Sequence, residues 1–221
     1  MICLDDMEED ALRELFNLSF GRAAATLSEM VDGEISLSPP CMSLLSESRL
    51  VAHLAGLYGM AIGVVGMRFR FVFSENRSIA GMAVLLIRAA EIAHLLDALY
   101  GSPLPDEVLI QVEGETMQST GDVLLYTCVS SFSALLSSDI ECDAPHYYRG
   151  TVTELQPFLL PGGLTQTEDP ATAEAEQWLL LRVDFTLLGK QVAGSLLMWM
   201  DGAALPNLRA GLDRYLADSM E

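Results

Sequence analysis

Basic residues are scarce in this chain: 12 Lys and Arg stand against 31 Asp and Glu in 221 residues, a formal net charge of −19. Such a surface repels phosphodiester backbones and anionic lipid, which argues against a nucleic-acid-binding role. Acidity of this kind favours solubility and offers a face to any partner carrying Lys or Arg. Long apolar runs are missing as well. None reaches the ~18 uninterrupted residues that a membrane span needs. Val51–Met67 comes nearest, but His53 and four glycines interrupt it. No basic segment followed by an apolar one opens the sequence, so no secretory signal is read there. The four cysteines (Cys3, Cys41, Cys128, Cys142) form no C-x-x-C pair and read as reduced thiols. The three histidines are scattered without i, i+4 spacing, so no metal site is expected. A Gly-rich phosphate loop and a nucleophile elbow are both absent, which argues against a small-molecule catalyst.

Apolar residues are abundant, at 51% of the chain, enough for a sizeable globular core. A helix is predicted from Asp5 or Asp6, with Glu8 or Glu9 completing a capping box, to about Met30. Its apolar arc is Leu12, Leu15, Phe16, Phe20, Ala23, Leu27 and Met30. Gly33 is expected to end it in the left-handed conformation. A short strand, 34–38, follows, and 41–63 has no clear period. Strands at 67–73 and 79–87 flank a turn at 74–78, and a helix covers 89–99. After the break at 101–105, a long helix spans about 106–137 with an interruption inside it. A hairpin of strands 178–187 and 191–200 and a helix at 203–217 complete the chain, with 159–175 reading as a loop.

The second half replays the first. Asn17 and Asp122 are 105 residues apart, as are Pro40 and Pro145; Gly81 and Gly194 are 113 apart. An insertion within 159–175 is expected to account for the difference. Two such copies, about 1–103 and 104–221, imply one pseudo-twofold domain rather than a solenoid, which needs at least three units.

One spacing points to chemistry. Asp10, Glu14 and Asn17 fall at i, i+4 and i+7, one narrow helical face at ~100° per residue. Gly21 continues that face, and Pro40 follows downstream. The ordinary fate of such residues is solvation on the polar side of an amphipathic helix. A carboxylate beside an amide also suits the steering of a water molecule, because an amide both donates and accepts hydrogen bonds without titrating. Lacking a side chain, Gly21 would let another backbone approach closely.

The pattern D-x3-E-x2-N-x22-P, formed by Asp10, Glu14, Asn17 and Pro40, resembles the signature of the CheC/CheX/FliY family, as do the tandem halves. The resemblance implies an α+β fold in which two pseudo-symmetric halves form one antiparallel, about six-stranded sheet. Two long motif helices and shorter helices pack on it. It further implies a chemotaxis-type hydrolase of the cytoplasm that removes phosphate from the aspartyl phosphate of a CheY-like response regulator. Asn17 would then orient the attacking water and Glu14 would anchor the partner. Asp10, Gly21 and Pro40 would shape the docking region. The protein would need no cofactor of its own, the divalent metal being held by the regulator.

At the 105-residue offset the mirror positions are Glu115, Ser119, Asp122 and Pro145, with Tyr126 in the place of Gly21. Ser119 replaces the anchoring Glu, and Asp122 would put a negative charge beside a phosphoryl group. One working site and one degenerate site are therefore expected, the second helix being mainly structural through Leu124, Leu125, Cys128, Phe132 and Leu135. The alternative is a non-catalytic module of the same fold that docks a response regulator, a CheD-type deamidase or the flagellar switch.

Overall fold

The computed structural model of the chain describes residues 6–58, 61–73, 77–152, 154, 177–201 and 205–219. The predicted loop at 159–175, the tip of the turn at 74–76 and Asp5 lie outside them. In chain order the elements are α1 (Asp6–Val31), β1 (Ile35–Leu37), β2 (Cys41–Ser46), α2 (Glu47–Tyr58), β3 (Ile62–Phe73) and β4 (Arg77–Arg88). A 3-10 turn at Ala89–Glu91 leads into α3 (Ile92–Tyr100). Next come α4 (Asp106–Leu135), β5 (Asp139–Cys142), β6 (His146–Gly150), β7 (Gln177–Leu187), β8 (Val192–Asp201) and α5 (Leu205–Ser219).

All described strand pairings are antiparallel and belong to one sheet, ordered β1–β7–β8–β4–β3–β5. β2 also pairs with β7, and β6 with β3, so the eight strands fill six lanes. The edge lane of each half lies against the hairpin of the other. β1 and β2 of the first half pair with β7 of the second, while β5 and β6 of the second pair with β3 of the first. Neither half can complete its sheet edge without the other.

Register repeats across the halves. Leu37 faces Phe185 and Cys142 faces Phe69. Phe69 in turn faces Gly81, and Phe185 faces Gly194. Each ring lies on its cross-strand glycine: a Cβ on Gly81 would sit 2.5 Å from Phe69 Cζ, and one on Gly194 2.6 Å from Phe185 Cζ. The glycines are required because the rings occupy their side-chain space. Val84 faces Leu197 at the central seam, 113 residues away. The offset is 116 between Phe69 and Phe185 and 113 between Gly81 and Gly194. A single insertion within 159–175 therefore does not account for it, because the β7–β8 hairpin is also shorter by three residues.

Pro40 and Pro145 sit between β1 and β2 and between β5 and β6, where each edge lane leaves the ladder. A residue without an N–H is best placed at such a break. The neighbouring donors are satisfied: Ser38 N donates to Asp184 O at 2.8 Å, and Asp143 N to Arg68 O at 3.0 Å.

α1, α3, α4 and α5 cover one face of the sheet with the larger core; α2 lies against the other, over a smaller core containing Leu54, Val84, Trp178 and Trp199. On α1 the predicted arc is buried except Met30, which is half-buried, while Val31 joins the core. The rings of Phe16 and Phe132 stack at 4.6 Å between centroids, joining α1 to α4.

Two further sequence expectations are corrected, and one segment left open is resolved. α4 runs unbroken from Asp106 to Leu135. Its Gly121 marks contact rather than a break, since a Cβ there would lie 2.4 Å from Val65 Cγ1. The left-handed residue ending α1 is Asp32 (φ 44°), not Gly33, and Ser137 (φ 52°) does the same for α4. Asp tolerates this region because its short side chain bonds locally. At both ends the next amide closes the turn, Gly33 N to Ser28 O and Ser138 N to Ser133 O, each 3.1 Å. The segment 41–63 resolves into β2, α2 and the start of β3.

The thiols differ in exposure, and Cys41, Cys128 and Cys142 are all free. Burial raises the Cys128 thiol far above its ordinary range. Burial, then the Asp143 and Asp122 carboxylates, push Cys142 up to about 11. Thiolate is the reactive form. In a Cys3→Ser background, maleimide labelling at pH 8 is expected to modify Cys41 first, Cys142 slowly and Cys128 only on unfolding. Mass spectrometry of timed samples checks the order; early labelling of Cys128 would contradict the packing.

Candidate functional site

The helical period places Asp10, Glu14 and Asn17 on the solvent side of α1, and all three are exposed. Behind them Leu12, Leu15, Phe16 and Phe20 are buried at 3% exposure or less, which fixes the rotation of the helix. Burial of each such side chain contributes about 1.5–3 kcal/mol. The orientation of the polar face is therefore set by the core.

The face has further members that the spacing alone did not single out. Leu18, beside Asn17, is 41% exposed, a large apolar side chain left in water. Arg13 lies between Asp10 and Glu14 and donates from Nη2 to Glu9 Oε1 at 2.7 Å. That hydrogen bond and the Glu9 charge hold its guanidinium pKa above the ordinary value. Gly21 is half-buried, and a Cβ built on it meets nothing within 4 Å. Its missing side chain is thus not demanded by packing within the chain. Pro40 is half-buried between β1 and β2, off the helix face.

On α4, Glu115, Ser119 and Asp122 are also exposed, and Tyr126 is 52% exposed. Pro145 is buried, unlike Pro40. Glu115 and Ser119 line a shallow cavity with Met30, Leu99 and Tyr100, where the Tyr100 hydroxyl lies 3.1 Å from Thr116 Oγ1. The two helix faces thus share their backbone setting and differ in their chemical groups. Val123, at the mirror position of Leu18, is likewise 41% exposed.

Small-molecule sites are concave and mostly apolar. Glu14 and Asn17 instead stand exposed on the outer side of a helix, a shape suited to entering a cleft on another macromolecule. The carboxylate of Glu14 accepts hydrogen bonds or pairs with a cation. The amide of Asn17, one turn on, can donate and accept hydrogen bonds at once.

Comparison with known proteins agrees with this fold. The chain has a FliY-type fold, an antiparallel sheet with helices packed on it. It is similar to the solved structure of FliY from Thermotoga maritima, with a TM-score of 0.68 and 17% identity over 98% of this chain and 99% of that one. It is similar in sequence to the flagellar motor switch phosphatase FliY of Bacillus subtilis (strain 168), 23% identical over 153 residues. That match covers 68% of this chain and 38% of the relative, so the chain matches well under half of the longer protein. The FliM middle domain from H. pylori shares the fold, with a TM-score of 0.53 and 9% identity over 94% of this chain and 99% of that one. No family model matches the chain. Among the described residues no helix is long and apolar enough to cross a membrane.

Proposed function

We propose that this protein is a phosphatase acting on the aspartyl phosphate of a CheY-like response regulator, with its site on α1. The supporting observation is that Glu14 and Asn17 stand exposed, one turn apart, on a helix face held by the core in a FliY-type fold. In this reading the face of α1 enters the regulator's active site. Glu14 pairs with a cation of the regulator and fixes the docked pose. The Asn17 amide then orders a water in line with the acyl phosphate. The water oxygen bonds to phosphorus, the bond from phosphorus to the aspartyl oxygen breaks, and inorganic phosphate and a free carboxylate result. An acyl phosphate is already reactive, and the regulator's own metal offsets its charge, so what the phosphatase adds is orientation. Asp10 and Gly21 belong to the docking surface, while Pro40 shapes the edge lane beside it. The site on α4 lacks the anchor and the amide and is inactive.

The test is loss of phosphate from a phosphorylated regulator with and without the protein, using wild type, Asn17→Ala and Asp122→Ala. Activity is expected in the first and third only. A chain that never accelerates the loss would favour the second reading, a non-catalytic docking module. The shared fold of the FliM middle domain favours that alternative, and a CheD-type deamidase is a further partner it allows.

Gly21 gives a separate check. Gly21→Tyr copies the mirror position, and the space around Gly21 accepts the first atom of a side chain. Helix propensity improves by about 0.5 kcal/mol, while the ring obstructs a docking backbone. Unchanged or raised thermal stability is expected, together with at least a tenfold fall in apparent affinity for the regulator, measured by titration. Full affinity would remove Gly21 from the docking surface.

A further inference from the structure

α1 carries two arginines, and they differ in how they are held. Arg13 is tied to Glu9. Arg22 is exposed, and no carboxylate or hydrogen-bond acceptor among the described residues engages its guanidinium. It lies one turn beyond Leu18 and next to Gly21. Side chains on a helix lean toward its N-terminus, so Arg22 lies on the flank that carries Leu18, at the edge of the exposed face and around the helix from Asn17. Gly21, next to it in sequence, leaves open space on the same exposed surface. At the 105-residue offset its counterpart is Thr127, whose hydroxyl donates to Val123 O at 2.7 Å. The half with the altered groups therefore also lacks the cation.

In a chain of net charge −19, this guanidinium beside an acidic ridge serves no ion pair among the described residues. The proposed substrate is anionic, and overall repulsion opposes its approach. We infer that Arg22 is a positioning residue that binds an anionic group of the docked regulator, holding the phosphorylated partner against the Glu14–Asn17 face. The inference rests on the phosphatase reading above and adds a determinant of substrate affinity to it. Guanidinium suits the role because its planar fork matches carboxylate and phosphate oxygens alike. The anion is either a carboxylate at the rim of the regulator's cleft or the phosphoryl group itself, and binding measurements separate the two.

The experiment uses the full chain as wild type, Arg22→Ala, Arg22→Lys and Arg22→Glu, each checked by circular dichroism. Initial dephosphorylation rates are measured over a range of phosphorylated regulator, at low and moderate salt. For Arg22→Ala, KM is expected to rise roughly five- to tenfold with kcat within about twofold, since a rim charge acts on association more than on chemistry. Arg22→Lys recovers part of the loss, Arg22→Glu deepens it, and the salt dependence of wild type flattens in Arg22→Ala. Binding to regulator with and without its phosphoryl group locates the anion. Loss for both forms assigns a rim carboxylate, and loss for the phosphorylated form alone assigns the phosphoryl group. Unchanged KM and affinity in both Arg22→Ala and Arg22→Glu overturn the inference. A wild-type chain that binds the regulator without dephosphorylating it overturns the phosphatase reading instead, and the same binding series then decides the role of Arg22.

Discussion

Asn17→Ala is expected to abolish acceleration of regulator dephosphorylation, by about 10²-fold or more, while leaving the fold intact. Loss of water orientation alone is worth about that much where the pose must be held to within ~1 Å. The side chain is exposed, so its removal opens no cavity. Alanine is also the better helix former, by roughly half a kilocalorie per mole. Stability should therefore hold or rise slightly. Regulator binding should survive as well, because Glu14 and Leu18 remain. Rates measured at saturating regulator, alongside thermal unfolding, separate these effects. An Asn17→Ala chain with full activity would sink the assignment. Activity lost in Asp122→Ala but kept in Asn17→Ala would move the working site to α4. Asp122→Asn alone should not create a second site, because Ser119 still lacks a carboxylate and Tyr126 still projects.

The sequence made α1 readable because its period is regular and its core positions are large. Its polar spacing was equally visible, but exposure of Glu14 and Asn17 depends on which elements cover the helix, a tertiary fact. The segment 41–63 resisted reading for a physical reason. β2 passes directly into α2 at Ser46 and Glu47 without a turn residue, and β2 finds its ladder partner in β7, more than 130 residues away. Local pattern carries no trace of such a pairing. The interruption expected within 106–137 does not occur; Gly121 there is the point where α4 presses on Val65. The left-handed residue is Asp32, one before the expected Gly33; at Gly33 a Cβ would lie 3.0 Å from Leu187 Cδ1, a close tertiary contact that local pattern does not reveal. Neither Leu18 nor Arg22 announced itself in the spacing. An exposed leucine and an unpaired arginine acquire meaning only when their neighbours are placed.

Phe132→Ala should be the most damaging single truncation for stability, at about 3–5 kcal/mol. The ring is fully buried and stacks on Phe16 at 4.6 Å, with Phe71 of β3 at 5.4 Å. It therefore joins the second half's long helix to both the helix and the sheet of the first. Urea unfolding measures the loss, and a double-mutant cycle with Phe16→Ala should return a coupling of roughly 0.5–1.5 kcal/mol for the stacked pair. A loss below ~1 kcal/mol, or no coupling, would mean that the halves are held together by the sheet alone. The interlocked edge lanes are the other link, since β1, β2, β5 and β6 bind each half to the other. The two contributions differ in what they do for the site. The edge lanes hold the sheet, but Phe16 immediately precedes Asn17, and its stacking on Phe132 fixes the rotation of α1 there. Below the unfolding transition, Phe132→Ala should therefore also slow dephosphorylation, by less than Asn17→Ala does, because the amide is still present but less firmly aimed.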